Sequence, residues 1–255
     1  MIVLKTPEEI ARIRLSGRVV HEALQAMQKA IVPGVSTTQD LENAAIEVLT
    51  RHGATSPFLG YKPSGHPPYP AWTCVSVNDE LVHGVPGRRV LQDGDIVSCD
   101  VGCLLNGYYG DSAWTFAVGS ISAEAERLMR VTREALLRGI EQARPGNRVG
   151  DIGSAIERYV RKAGFSVVRE MVGHGVGKAL HEEPQVPNFG RPGTGVLLQE
   201  GMTLAIEPMV NAGGREIRTL ADGWTIATAD GSLSAHFEHT IAITDKGPVI
   251  LTQGS

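Results

Sequence analysis

In four stretches of the chain, apolar residues recur every third or fourth position, the spacing of one helix face; elsewhere they alternate or run together in short segments. The first stripe is Ile10, Ile13, Val20, Leu24 and Met27. Thr6 precedes it as an N-cap, with Pro7 at the first helical position and Glu9 at the third, which is a capping box; the helix is expected to end near Ile31. A second stripe, Leu41, Ala45, Val48 and Leu49, follows Ser36 or Thr37 as cap and stops at Gly53, a natural C-terminal glycine. Residues 122–143 and 149–164 repeat the scheme. Residues 96–101 and 108–118 read as strands flanking the turn dipeptide Asn106-Gly107, and Asp222-Gly223 and Asp230-Gly231 punctuate a later meander over 215–244. Residues 63–70 form a proline-rich surface loop.

The two helix pairs resemble each other. Glu22-Ala23-Leu24 recurs as Glu134-Ala135-Leu136, and Pro33-Gly34 as Pro145-Gly146, both at an offset of 112. One residue fewer, at an offset of 111, aligns Asp40-Leu41 with Asp151-Ile152, Ala44 with Ala155 and Gly53 with Gly164. The pattern argues for an internal duplication. The expectation is an α+β architecture in which two halves, residues 1–120 and 121–255 approximately, complete one mainly antiparallel sheet within a single catalytic unit spanning 1–255.

Composition narrows the function classes. With 42% hydrophobic and 20% charged residues and 30 glycines, the chain is neither disordered, collagen-like nor a coiled coil. No apolar run approaches the roughly 18 residues that span a bilayer, and the start Met1-Ile2-Val3-Leu4-Lys5 has no leader pattern, so the cytoplasm is the expected compartment and no membrane partner is expected. A net charge of -4 with mixed signs gives no basic stripe, which argues against nucleic acid as primary ligand. Of Cys74, Cys99 and Cys103, the last two share a strand at a spacing of about 13 Å, too far to bridge; they read as core thiols.

The chemistry concentrates in acids placed where charge is unexpected. If the strands around Asn106-Gly107 form a hairpin, a four-residue loop sets Asp100 opposite Asp111 and a two-residue turn sets them diagonal. Either register puts both carboxylates on one face within about 8 Å, which is destabilising without a counterion. Glu207 ends the apolar run Met202-Thr203-Leu204-Ala205-Ile206, and Glu238 sits within Ala235-His236-Phe237-Glu238-His239-Thr240-Ile241. Four such carboxylates plus an imidazole, for which His174 in Gly173-His174-Gly175-Val176-Gly177-Lys178 is the candidate, are the ligand set of two divalent cations roughly 3.5 to 4 Å apart. The glycine-rich run is not a Walker loop, since Ala179 follows Lys178; His181-Glu182-Glu183-Pro184 lacks the second histidine of a zincin helix.

These stretches, with His83-Gly84-Val85-Pro86, Gly107-Tyr108-Tyr109-Gly110-Asp111, Glu200-Gly201-Met202 to Glu207-Pro208 and Asp222-Gly223-Trp224, resemble the type I methionine aminopeptidases over residues 5–251. The resemblance implies the pita-bread fold, with pseudo-twofold halves, a central sheet and outer helices. It implies a metallopeptidase that removes the initiator methionine of nascent chains when the second residue is small. Asp100, Asp111, His174, Glu207 and Glu238 would hold two divalent ions, with Co, Mn, Fe(II) and Zn all suited to such donors. Glu207 would also shuttle the proton, His181 would donate to the oxyanion, and His83 would contact the scissile nitrogen. Tyr69, Cys74 and Trp224 match residues that enclose the methionine side chain, whereas His66 and Leu180 stand where aromatics often stand. Association with the ribosome and a monomeric state complete the expectation.

Overall fold

A computed structural model describes residues 2–254; Met1 and Ser255, the ends of the expected unit, lie outside the described residues. The chain runs α1 (Pro7–Lys29), α2 (Thr38–Arg51), β1 (Cys74–Val77), β2 (Glu80–Val82), β3 (Ile96–Leu105) and β4 (Tyr108–Ala117). It continues α3 (Ala123–Glu141), α4 (Val149–Lys162), β5 (Ser166–Val167), β6 (Gly173–Gly175), β7 (Glu182–Val186), β8 (Thr203–Ile206) and β9 (Met209–Asn211). Five strands end it: β10 (Ile217–Thr219), β11 (Ile226–Thr228), β12 (Ser234–His236), β13 (His239–Thr244) and β14 (Gly247–Ile250). Among the described residues no helix is long and apolar enough to cross a membrane.

The helices start where their caps predict. Thr6 and Glu9 close the capping box of α1 reciprocally, and Thr37 with Asp40 does so for α2. Ser36, the other cap candidate for α2, instead donates its hydroxyl to Ala30 O at 2.5 Å. Helix α1 stops at Lys29, two residues before the expected end, with Ala30 as its C-cap. The duplication is visible in matching contacts at the entry of each second helix. Gly34 N–H donates to Leu91 O and Leu91 N–H to Ser36 O; Gly146 N–H donates to Leu198 O and Leu198 N–H to Asn147 O. The same backbone clasp thus holds α2 and α4.

Each helix pair covers its own apolar core. Val20, Leu24, Leu41 and Leu49 pack on Val75, Val97, Val101 and Cys103, while Leu128, Leu136, Ile152 and Ile156 pack on Leu204, Ile206, Ile241 and Ile243. Fully burying a Leu or Ile side chain stabilises by about 1.5 to 3 kcal/mol relative to exposure, so the two cores fix where each half's strands lie. All three cysteines are free and buried.

Among the described residues the strands are antiparallel throughout, but they pair in four sets rather than one sheet: β1-β3-β4, β10-β11-β2, β12-β9-β5 and β14-β13-β8-β6-β7. Strands of two to four residues are too short to make one continuous ladder. Side chains and backbone stitch the sets at the centre instead. Glu238 N–H donates to Ala113 O (2.8 Å), Ser112 Oγ to Glu238 O (2.5 Å) and Thr240 Oγ1 to Asp111 O (2.8 Å). Helix α1 crosses β4 at Gly17 and Gly110, where a Cβ on Gly110 would come within 2.8 Å of Gly17 N; only glycine permits that approach. Asp111, next in the chain, is thereby fixed between α1 and the second half.

Candidate metal centre

The hairpin takes the tighter of its two registers. Asn106 (φ 51°) and Gly107 (φ 80°) occupy the left-handed region that a two-residue hairpin turn requires, so Leu105 pairs with Tyr108 and Gly102 with Asp111. Asp100 lies opposite Ala113, on the same face and diagonal to Asp111. The second half makes the corresponding pair. Glu207 follows β8 and Glu238 precedes β13, one step beyond the His239–Ile206 pairing of those strands. Two antiparallel strand pairs, one from each half, therefore present two carboxylates apiece to one cavity of about 610 Å³.

His174 enters from β6, paired across to Ala205 of β8. Its Nδ1–H donates to Gly175 O at 2.8 Å, which leaves the Nε2 lone pair facing Asp111 Oδ2 at 3.8 Å and Glu207 Oε1 at 3.5 Å. Donor atoms of Asp111, His174 and Glu238 lie within 4.8 Å of one another, and so do those of Glu207, His236 and Glu238. Asp100 stands outside both groups, and its charge is one of the causes that lift Asp111. His236 is the one member that the sequence reading left out of the site.

Burial dominates the electrostatics. It raises the Asp100 carboxyl to about 7, and holds Asp111, Glu207 and Glu238 well above the carboxylate range, with their mutual repulsion adding to the effect. The same burial lowers His83 and His174 to about 4 and His236 to about 3, and lowers His181. The imidazoles are therefore neutral at pH 7. Asp100 Oδ1, Asp111 Oδ1, Glu238 Oε1 and His236 Nε2 are buried without a hydrogen-bond partner, although unpaired buried polar atoms ordinarily cost about 1 to 3 kcal/mol each. Divalent cations satisfy all these groups together: they pair the charge, occupy the lone pairs and bring the carboxyls down to ionised form.

The remaining expected residues line the same cavity. His181 lies in the turn between β6 and β7, its ring 4.5 Å from that of His174 and edge-on to it. That turn is anchored from below: Glu182 accepts from Lys5 Nζ at 2.5 Å and from the Lys178 and Ala179 N–H groups. His83 follows β2 with φ 59°, a left-handed conformation costing a non-glycine residue on the order of 1 kcal/mol, and its ring is 6.3 Å from Trp224. Tyr69, Cys74 and Trp224 form one buried cluster with Ala71; the Tyr69 hydroxyl lies 3.0 Å from Thr73 O and 2.9 Å from Gly84 O and shares its one proton between them. Leu180 is buried at the cavity wall, whereas His66 is exposed, 3.3 Å from Gly223 O and 5.4 Å between rings from Trp224. Phe58, Tyr61 and Met171 also line the cavity and went unnoticed in the sequence, because they sit in aperiodic loops. Tyr61 stands edge-on to His181 at 5.6 Å, so aromatic surface reaches the wall from a different loop than the sequence suggested.

The model of metallopeptidase family M24 matches residues 11–245. Methionine aminopeptidase 1 of Bacillus subtilis is 52% identical over 253 residues, covering 99% of this chain and all of that protein. The crystal structure of methionine aminopeptidase from Thermotoga maritima superposes with a TM-score of 0.95 at 48% identity, each chain fully covered. The prolidase of Pyrococcus horikoshii, at 24% identity and a TM-score of 0.79, shares the fold alone, and this chain covers 65% of it.

Proposed function

The chain belongs to metallopeptidase family M24, and from that premise we propose that it removes the N-terminal methionine of nascent proteins whose second residue is small. The observation that carries the reading is the convergence of four carboxylates, Asp111 and Glu238 buried and Asp100 and Glu207 partly so, and His174 on one cavity with unpartnered oxygens facing inward. Asp100, Asp111, His174, Glu207 and Glu238 would hold two divalent cations, with Co, Mn, Fe(II) and Zn as suitable ions. When bound, such ions lower the pKa of water toward 7, polarise the scissile carbonyl and grip the free α-amine of the substrate.

The chain's own groups supply the rest. Glu207 takes a proton from the attacking water and returns it to the departing amine as the C–N bond breaks. His181 is neutral, so its ring keeps one N–H to donate to the oxygen that becomes negative in the tetrahedral intermediate. His83, held in place by its backbone conformation, contacts the peptide near the scissile nitrogen. Tyr69, Cys74, Trp224, Leu180 and His66 enclose the methionine side chain, with Tyr69 fixed by the proton its hydroxyl shares between two carbonyls. In this reading residues 1–255 are one catalytic unit of halves 1–120 and 121–255, acting as a monomer in the cytoplasm on chains emerging from the ribosome.

Specificity tests the proposal. Met-Ala-Ser, Met-Leu-Ser, Leu-Ala-Ser and N-acetyl-Met-Ala-Ser are compared by chromatography of the products. Free methionine from the first peptide alone is the expected result; equal cleavage of the acetylated peptide would overturn the aminopeptidase reading.

A further inference from the structure

His236 ends β12 and is locked by its own backbone: its N–H donates to Thr115 Oγ1, and its C=O accepts from the same hydroxyl, both at 2.9 Å. The ring is buried and points at the acids. Nε2 lies 3.8 Å from Glu207 Oε2 and 3.9 Å from Glu238 Oε2, beyond hydrogen-bond reach of either, and it has no other hydrogen-bond partner. An orphaned buried nitrogen facing two carboxylate oxygens at that distance is explained by a shared cation. Two donors bound to one ion at about 2.0 to 2.2 Å cannot be more than roughly 4.4 Å apart, and both distances fall inside that limit.

The two oxygens of Glu207 face different imidazoles, Oε1 toward His174 and Oε2 toward His236. Building on the dinuclear reading above, we infer that His236 is a sixth protein ligand, bound to the cation that Glu207 and Glu238 hold; His174 Nε2, 3.5 Å from Glu207 Oε1, falls inside the same limit, so that cation would carry two imidazoles. Oxygen donors suit Mn, whereas a second imidazole draws a position toward Zn, Co, Fe or Ni. His236 is therefore a determinant of which metal the Glu207 position takes.

The test counts imidazoles directly. The protein loaded with two equivalents of Zn is examined by X-ray absorption at the zinc edge, where the outer-shell scattering of coordinated imidazole is resolved. The wild type should show about one imidazole per zinc, and His236→Gln about half that number. In calorimetric titrations His236→Gln should weaken one of the two Zn binding events by on the order of 10-fold or more, with a smaller change for Mn. The exposed His52→Gln variant should change neither readout. Half an imidazole per zinc in the wild type would overturn the assignment without needing the variant to fold, and would leave the dinuclear reading intact. A wild-type protein that takes up no divalent cation would overturn both.

Discussion

Replacing Asp111 by asparagine should stabilise the metal-free protein while destroying its function. A ligand oxygen of Asp111 lies within 4.8 Å of one on Glu238, and at an effective dielectric of 20 two full charges at that separation repel by about 3.5 kcal/mol. The cluster sheds part of this by retaining protons, so the relief realised is about 1 to 3 kcal/mol at pH 8. For a chain of this size that is a rise in Tm of roughly 2 to 10 °C. The sign follows from linkage. Asp100, raised from 3.8 to about 7 by burial, contributes stability that is full below the unfolded value and is lost as pH rises through 7; Asp111, Glu207 and Glu238 shift the same way. The asparagine gain should therefore be largest at pH 8 and shrink at pH 5; the buried histidines, lowered by the same burial, pull the overall pH profile the other way but are common to both proteins. Excess cation should reverse the ranking, because a ligand at 1,000 times its Kd adds about 4 kcal/mol to the wild type and less to a variant missing one ligand charge. Circular dichroism melts of chelated and Mn-loaded protein at both pH values make the comparison. A variant that melts below wild type at pH 8 without metal, yet gains as much from Mn, would refute the crowded-carboxylate argument.

Glu207→Gln should lose turnover of Met-Ala-Ser and bind cation more weakly, since it removes both a ligand charge and the proton carrier; steady-state kinetics with metal analysis reads both. His181→Ala should lower kcat on the order of 100-fold with little change in KM if its donation is made chiefly in the transition state, and a loss confined to KM would make it a ground-state contact. Lys5→Met leaves Glu182 without its cation, and breaking a pair this enclosed costs about 3 to 5 kcal/mol, so thermal melts should show a large drop while Lys5→Arg recovers part of it. Leu180→Phe should raise the preference for Met-Ala-Ser over norleucine-Ala-Ser, a difference worth about 1 to 3 kcal/mol at most; an unchanged kcat/KM ratio would remove Leu180 from the pocket wall.

Local chemistry made much of this molecule readable. Thr6, Thr37 and Ser122 announce their helices because a cap acts within one turn, and Asp100 and Asp111 share a face in any hairpin built around Asn106-Gly107. The choice between registers was not readable from alternation, which both satisfy; it was decided by the two left-handed residues of the turn. Strands such as β5, β6 and β12 span two or three residues, too few for a period, so the division into four strand sets was hidden. His236 looked like one more residue of an apolar strand, and only the placement of its ring against Glu207 and Glu238 sets it apart from His239, whose Nδ1 is satisfied by Thr252 Oγ1 at 2.8 Å. Phe58, Tyr61 and Met171 reach the cavity through loops whose paths depend on tertiary packing.

The acids gathered in the cavity exist to hold catalytic cations. That role is read from the rate of methionine release from Met-Ala-Ser by chelated protein, measured as Co, Mn, Fe(II) or Zn is added in steps up to several equivalents. Turnover should be absent without cation, rise with added metal and level off by two equivalents, and Asp111→Asn should show no such rise. Full activity in the chelated protein, with no response to added cation, would contradict that role.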